Sequence, residues 1–215
     1  MKIFNRHKKF FAGIFAASMI FTSSSVFAAY YEEDDGEIIS EPPPDTYMWV
    51  QSTPRGNYWF NYKHCGYRIK SDGTLDLNTL IVPTVCLYDS VQIQDVIQKR
   101  KWNKLTTKGY ERLAGRADIL KFDLSKGTVQ VEKRIDIDDT WAHLDTDTSD
   151  KPIDLKDIPV KDIRYKFYRT ILEWAKKNNE LIIGRSRGKL SDADGDLTLD
   201  EVPINKIFIP PAVDE

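Results

Sequence analysis

Histidine is scarce in this chain, three among 215 residues, and His7 lies in a basic head, so only His64 and His143 remain beyond it. There are only two cysteines, Cys65 and Cys86, and none of these four residues has the spacing of a compact zinc-ligand pair. No G-x-S-x-G elbow, phosphate loop or dinucleotide fingerprint occurs, which removes the usual signatures of acyl transfer and nucleotide binding. No surplus of positive charge exists either: 31 Lys and Arg face 33 Asp and Glu, for a net charge of −2. Such a surface repels phosphate backbones, so nucleic acid is not an expected partner. Carboxylates are plentiful, but no two are singled out by spacing. A hydrolase built on acidic residues therefore stays open without named catalytic groups.

What is present begins with the head. Lys2, Arg6, Lys8 and Lys9 precede "FFAGIFAASMIF", an apolar run too short to span a bilayer comfortably. "SSSVFA" follows, with Val26 and Ala28 placed for cleavage before Ala29. Residues 1–28 read as a signal peptide, so the chain is expected to be exported (periplasmic, cell-surface or secreted) with no transmembrane segment after cleavage. Without them, 27 basic residues face 33 acidic ones, a net charge of −6, and 187 residues remain, enough for one domain with a real core. In an oxidising compartment two cysteines predict a Cys65–Cys86 disulfide, worth about 3 kcal/mol by loop-closure entropy, with two buried free thiols as the alternative.

Residues 29–46, acidic and then triply prolyl, cannot bury enough apolar surface to offset their ordering and read as a disordered arm. Order is expected over 47–183. "YMWVQS" and "NYWFNYK", joined by "TPRG", predict a hairpin. A strand through Thr79–Tyr88 follows, in which Pro83 should force a bulge or an edge position. Helical spacing of Ile93, Val96 and Ile97, with Ser90 as N-cap, predicts a short middle helix whose basic end "KRKW" is a solvated terminus. In "ADILKFDLSKGTVQVEKRIDID", Leu120, Phe122 and Leu124 alternate with Ile119, Lys121 and Asp123. That pattern belongs to an antiparallel sheet with one dry and one wet face. "DIPVKDIRYKFYRTILEWAKKN" predicts a long C-terminal helix opening at Pro159 and ending near Asn178, Asn179 and Gly184. Its Ile163, Phe167, Ile171 and Trp174 or Ala175 stripe should lie on the sheet. The fold class is thus α+β: a twisted antiparallel β-sheet, a long C-terminal helix on one face, and a short middle helix.

The order of these segments carries a resemblance. An exported chain with "MWV" at its start, "YRIKSDGTLDLNTLIVPTVCLYDS" before a Gln- and Lys-rich helix, then "ADILKFDLSKGTVQVEKRIDIDD" and the last helix, resembles small exported bacterial proteins similar to surface-adhesin protein E. The likeness spans roughly 47–178. In that family the strand before the middle helix carries a tryptophan, where this chain has Val85-Cys86-Leu87-Tyr88, and the last helix is preceded by a serine that Ile158-Pro159-Val160 lacks. The resemblance implies a non-enzymatic envelope or secreted binding protein of adhesin type. It transfers no ligand-contact residue.

The C-terminal extension, 184–215, contains "DADGDLTLDEV", where Asp192, Asp194, Asp196, Asp200 and Glu201 crowd five carboxylates into ten residues. A Ca²⁺ ion would relieve their repulsion. Read as a twelve-residue calcium loop from Asp192, however, the sixth position is Leu197 and the last is Pro203, where Gly and Glu belong. An acidic loop of Asx turns is the competing reading. Asp145, Asp147 and Asp150 pose the same choice. Further on, a short apolar strand is expected at Ile207–Ile209. Three functions follow as expectations: a binding module, for which exposed aromatics such as Tyr58, Phe60 or Trp102 would speak; a calcium-stabilised module; and an acid-dependent hydrolase.

Overall fold

The computed structural model describes residues 41–148, 150–186, 188 and 202–205. The signal peptide, most of the acidic arm, the five calcium-candidate carboxylates and the expected strand at Ile207–Ile209 all lie outside the described residues. The arm's last residues, 41–46, form a turn. The Tyr47 N–H and Thr46 N–H both donate to the Pro43 carbonyl, and Tyr62 Oη donates to the Asp45 carbonyl at 2.6 Å.

Among the described residues the chain forms an antiparallel sheet and three α-helices, an α+β fold. The strands are β1 (Tyr47–Thr53), β2 (Gly56–Asn61), β3 (Gly66–Ile69), β4 (Leu75–Tyr88), β5 (Leu113–Asp123), β6 (Thr128–Asp138), β7 (His143–Thr148) and β8 (Ile153–Asp154). Their order is β1-β2-β4-β5-β6-β7, with β3 beside β4 and β8 beside β6. Alternation built this sheet as expected, and the Ser125-Lys126-Gly127 turn closes β5 onto β6. There Gly127 takes a φ of 65°, a conformation L side chains resist, and Asp123 Oδ1 accepts from Ser125 and Lys126.

Pro83 produces neither an edge strand nor a broken one. It sits in the middle of β4, in the gap where the partner changes from β3, which ends opposite Ile81, to β2, which begins opposite Thr84. On that side no ladder bond is lost to its absent N–H.

Helix α1 (Ser90–Trp102) is capped by Asp89 rather than Ser90, the Gln92 N–H donating to the Asp89 carboxylate. Helix α2 (Ile163–Lys177) opens four residues after Pro159, because the Asp162 carboxylate accepts from the Arg164 N–H at 2.8 Å and fixes the N-terminus there. It ends at Asn178, and a separate helix α3 (Asn179–Arg185) contains Gly184 instead of stopping at it. Tyr165, Phe167, Tyr168, Ile171, Leu172 and Ala175 are the buried face of α2. They share a core with Phe60, Leu80, Val82, Leu120, Phe122 and Val129, and also with Val202 and Ile204 of the C-terminal extension. Each such fully buried apolar side chain stabilises the fold by roughly 1.5–3 kcal/mol.

The reverse side of the sheet is not wet throughout. Trp59, Val85, Ala117 and Ile135 stand in one cross-strand row through β2, β4, β5 and β6, and all four are buried. They are out of frame with Leu120 and Phe122, so they face away from α2. The sheet curls enough to bring β1 to the β6–β7 turn, where the Tyr47 and Trp141 rings lie 6.5 Å apart. This face opens to solvent toward Ile119, Lys121 and Asp123, the part the alternation displayed, and at the two ends of the row, at Trp49 opposite Trp59 and Thr146 opposite Ile135. No helix among the described residues is long and apolar enough to cross a membrane.

Candidate functional site: a cavity beneath the first turn of α2

Along the even-numbered face of β5, the apolar Phe122 and Leu120 give way to Asp118 and then Arg116. Each continues a row across the sheet: Phe60, Thr84, Asp118 and Arg134 in one, Tyr58, Cys86, Arg116 and Asp136 in the next. The first turns of α2 lie over these rows, pinned by Gln51, whose Nε2 donates to the Ile163 carbonyl at 2.8 Å. A partly enclosed cavity of about 100 Å³ remains between them. Its polar wall includes Tyr58, Thr84, Cys86, Arg116, Asp118 and Arg134, with Asp150 and Arg164 also lining it. Its apolar wall comes from Leu120, Val131, Ile163, Phe167 and Tyr168.

The charges form a chain. Asp118, itself buried, lies 3.1 Å from Arg134 and 3.2 Å from Arg116, and Arg134 reaches on to Asp150 at 3.1 Å. Arg164, at the rim, folds back on Asp162 at 2.6 Å. Of the three guanidinium groups Arg116 is the least satisfied. Its approach to Asp118 lacks hydrogen-bond geometry, and its buried Nε has no hydrogen-bond partner among the described residues. Burial opposes its charge, but Asp118, with the Tyr88, Cys86 and Tyr58 side chains, outweighs that and leaves its pKa raised. It is a fixed cation.

The other polar groups stay protonated at neutral pH. Burial pushes the Cys86 thiol up to about 11, despite the opposing pull of Arg116 and a hydrogen bond with Tyr58. Burial likewise raises the Tyr58 and Tyr168 hydroxyls to about 12. A thiol held this high is a poor nucleophile.

The sequence-predicted residues are placed elsewhere. Cys65 and Cys86 are free, buried thiols, not a disulfide. Cys65 precedes Gly66, which pairs with Ile81, whereas Cys86 lies five residues along β4, about 16 Å at the strand rise. A disulfide needs Cα atoms within about 7 Å. Burial pushes the Cys65 thiol up to about 12. Of the second acidic cluster, Asp145 is taken by Arg100 at 2.7 Å and Asp150 by Arg134. Among the described residues no group of three or more His, Cys, Asp or Glu side chains converges on a metal position. Phe60 is fully buried and Tyr58 packs on Phe167 at 5.6 Å, so neither belongs to a wet face. Trp102 is 78% exposed.

The basic end of α1 also differs from expectation. Arg100 is mostly buried, stacked 4.2 Å over the Tyr110 ring and bonded to Asp145 and the Thr106 carbonyl. It anchors a helix none of whose apolar side chains is fully buried.

Sequence reasoning passed over Arg116, Asp118 and Arg134, reading the charges of 117–138 as the wet side. A signal was available: Arg116 and Asp118 are in frame with Leu120, Phe122 and Leu124, so the same alternation puts them on the dry face. Comparison with protein-family models, with curated proteins and with solved structures finds no match to this chain.

Proposed function

We propose that this is an exported, non-enzymatic binding protein of the cell envelope or the medium, and that the cavity beneath α2 is its small-molecule site. One observation carries the binding half. The cavity's carboxylates are each held by an arginine, and its thiol and phenols stay protonated. What remains open is therefore a recognition group set among apolar walls, with no acid, base or nucleophile poised for transfer. Export rests on the basic and apolar head of residues 1–28. The likeness to surface-adhesin protein E, including a C-terminal helix laid over one face of the sheet, belongs to the same reading and rests on the order of sequence segments.

The test pairs ligand screening with a filled cavity. A small-molecule panel is titrated against the protein and against Val131→Phe, whose larger ring occupies the space. Saturable binding that disappears in the variant, with melting unchanged, supports the reading. Turnover of any hydrolase substrate that Asp118→Asn abolishes replaces it with the acidic-hydrolase alternative.

A further inference from the structure

We infer that the ligand of this cavity is a short-chain carboxylate anion, gripped by the Arg116 guanidinium with its hydrocarbon part against Leu120, Val131, Phe167 and Tyr168. The inference rests on the reading of the cavity as a binding site and names the class of molecule it takes.

Three features point to an anion with two planar oxygens. Arg116 is a permanent cation that lines the cavity with a side chain 32% exposed, and its buried Nε has no hydrogen-bond partner among the described residues. Asp118 does not satisfy it, because that carboxylate is shared with Arg134, which donates to it and also to a second carboxylate, Asp150. A guanidinium presents parallel N–H groups that match a carboxylate in bidentate fashion. The first turn of α2 adds the positive end of its dipole from the facing wall, at Ile163 and Arg164.

Opposing charges are present and set the limit on ligand size and charge. Asp118 and Asp150 also line the cavity, so a dianion would meet repulsion that a monoanion escapes. The volume, about 100 Å³, is below the roughly 150 Å³ of an engineered apolar cavity that admits benzene. That leaves room for about four to six non-hydrogen atoms. The remaining wall is hydrocarbon and aromatic, so the ligand's body should carry no second polar group.

The experiment uses three probes of similar size, propionate, its planar neutral isostere propionamide, and the cation propylammonium, titrated at constant ionic strength. The readout is the methyl NMR signals of Leu120, Val131, Ile153 and Ile163. Propionate should shift them saturably, with the amide and the ammonium at least about tenfold weaker, the value of one charge-assisted hydrogen bond. Arg116→Gln should erase the preference for propionate over propionamide. Arg116→Lys, which keeps the charge and loses the fork, should weaken propionate and retain the preference. It also serves if the glutamine variant fails to fold. Equal or tighter binding of the amide or the ammonium overturns the carboxylate assignment while leaving a binding cavity. Propionate binding unaffected by Arg116→Gln overturns it too. Methyl signals that move with none of the three probes overturn both the assignment and the binding reading.

Discussion

Asp118 and Arg134 stand directly opposite each other on β5 and β6, and their side chains meet at 3.1 Å on the face that α2 covers. Asp118 is thereby the junction of a chain of ion pairs from Arg116 to Asp150.

Replacing that junction exposes its role. Asp118→Ala takes from Arg116 the carboxylate it is paired with and leaves Arg134 with Asp150 alone. Removing one partner of a buried pair costs roughly 3–5 kcal/mol, and because both arginines retain about a third of their exposure we expect about 2 kcal/mol here. Urea unfolding measures it. A change under about 0.5 kcal/mol would show the chain to be ornamental.

The cysteines should behave as sealed thiols. At pH 8 the native protein should react slowly with a thiol reagent and the urea-unfolded protein should yield two equivalents quickly, with no effect of reductant on the melt. A raised thiol pKa stabilises the folded state fully below the unfolded value of about 8.5. That contribution is lost as pH climbs through the folded value of about 11 for Cys86. Stability should therefore decline on the alkaline side, less steeply in Cys86→Ser. A melt that falls on adding reductant would restore the disulfide.

Asp138 closes the β6–β7 turn, accepting from the Thr140 N–H, the Thr140 hydroxyl and the Ala142 N–H at 2.7–2.9 Å. Burial pushes its carboxyl up, but these bonds and the Arg112 charge prevail and hold it below the ordinary 3.8. A depressed carboxyl contributes stability above its unfolded pKa, about 3.9, and loses it as pH falls through the folded value. Asp138→Ala, which strands two N–H groups, should cost about 1–3 kcal/mol at pH 7. The gap from the parent protein should narrow only below about pH 4. A gap that stays constant into that range would contradict the assignment.

Arg100 holds α1. Arg100→Ala removes the stacking on Tyr110 and the bond to Asp145, about 2 kcal/mol together. Hydrogen exchange should quicken over residues 90–105 and stay unchanged in α2. Uniform acceleration would mean that the residue supports the whole fold.

These relationships were unequally legible. The β5–β6 hairpin could be read from Leu120, Phe122, Val129 and Val131, because period two is a local property. Phe167, Ile171 and Ala175 on the buried face of α2 were readable from the helical period, which is local too, but Ile163, expected on that face, is 44% exposed, and Asp162 rather than Pro159 sets the start. The cavity needed register. That Cys86 lies beside Arg116 and Tyr58, and that Asp118 meets Arg134, follows from how four strands align, which no local pattern encodes. The expected disulfide failed on the same point: two cysteines say nothing about their separation along β4. The buried row of Trp59, Val85, Ala117 and Ile135 depends on the curl that brings Tyr47 to Trp141, a property of the whole sheet.

The most direct test of the account is calorimetric titration of a broad small-molecule panel into the parent protein and Val131→Phe. The account predicts at least one saturable, stoichiometric heat that the filled cavity abolishes, with nothing consumed. Heat that persists in the filled variant, or a compound converted to product, would contradict it.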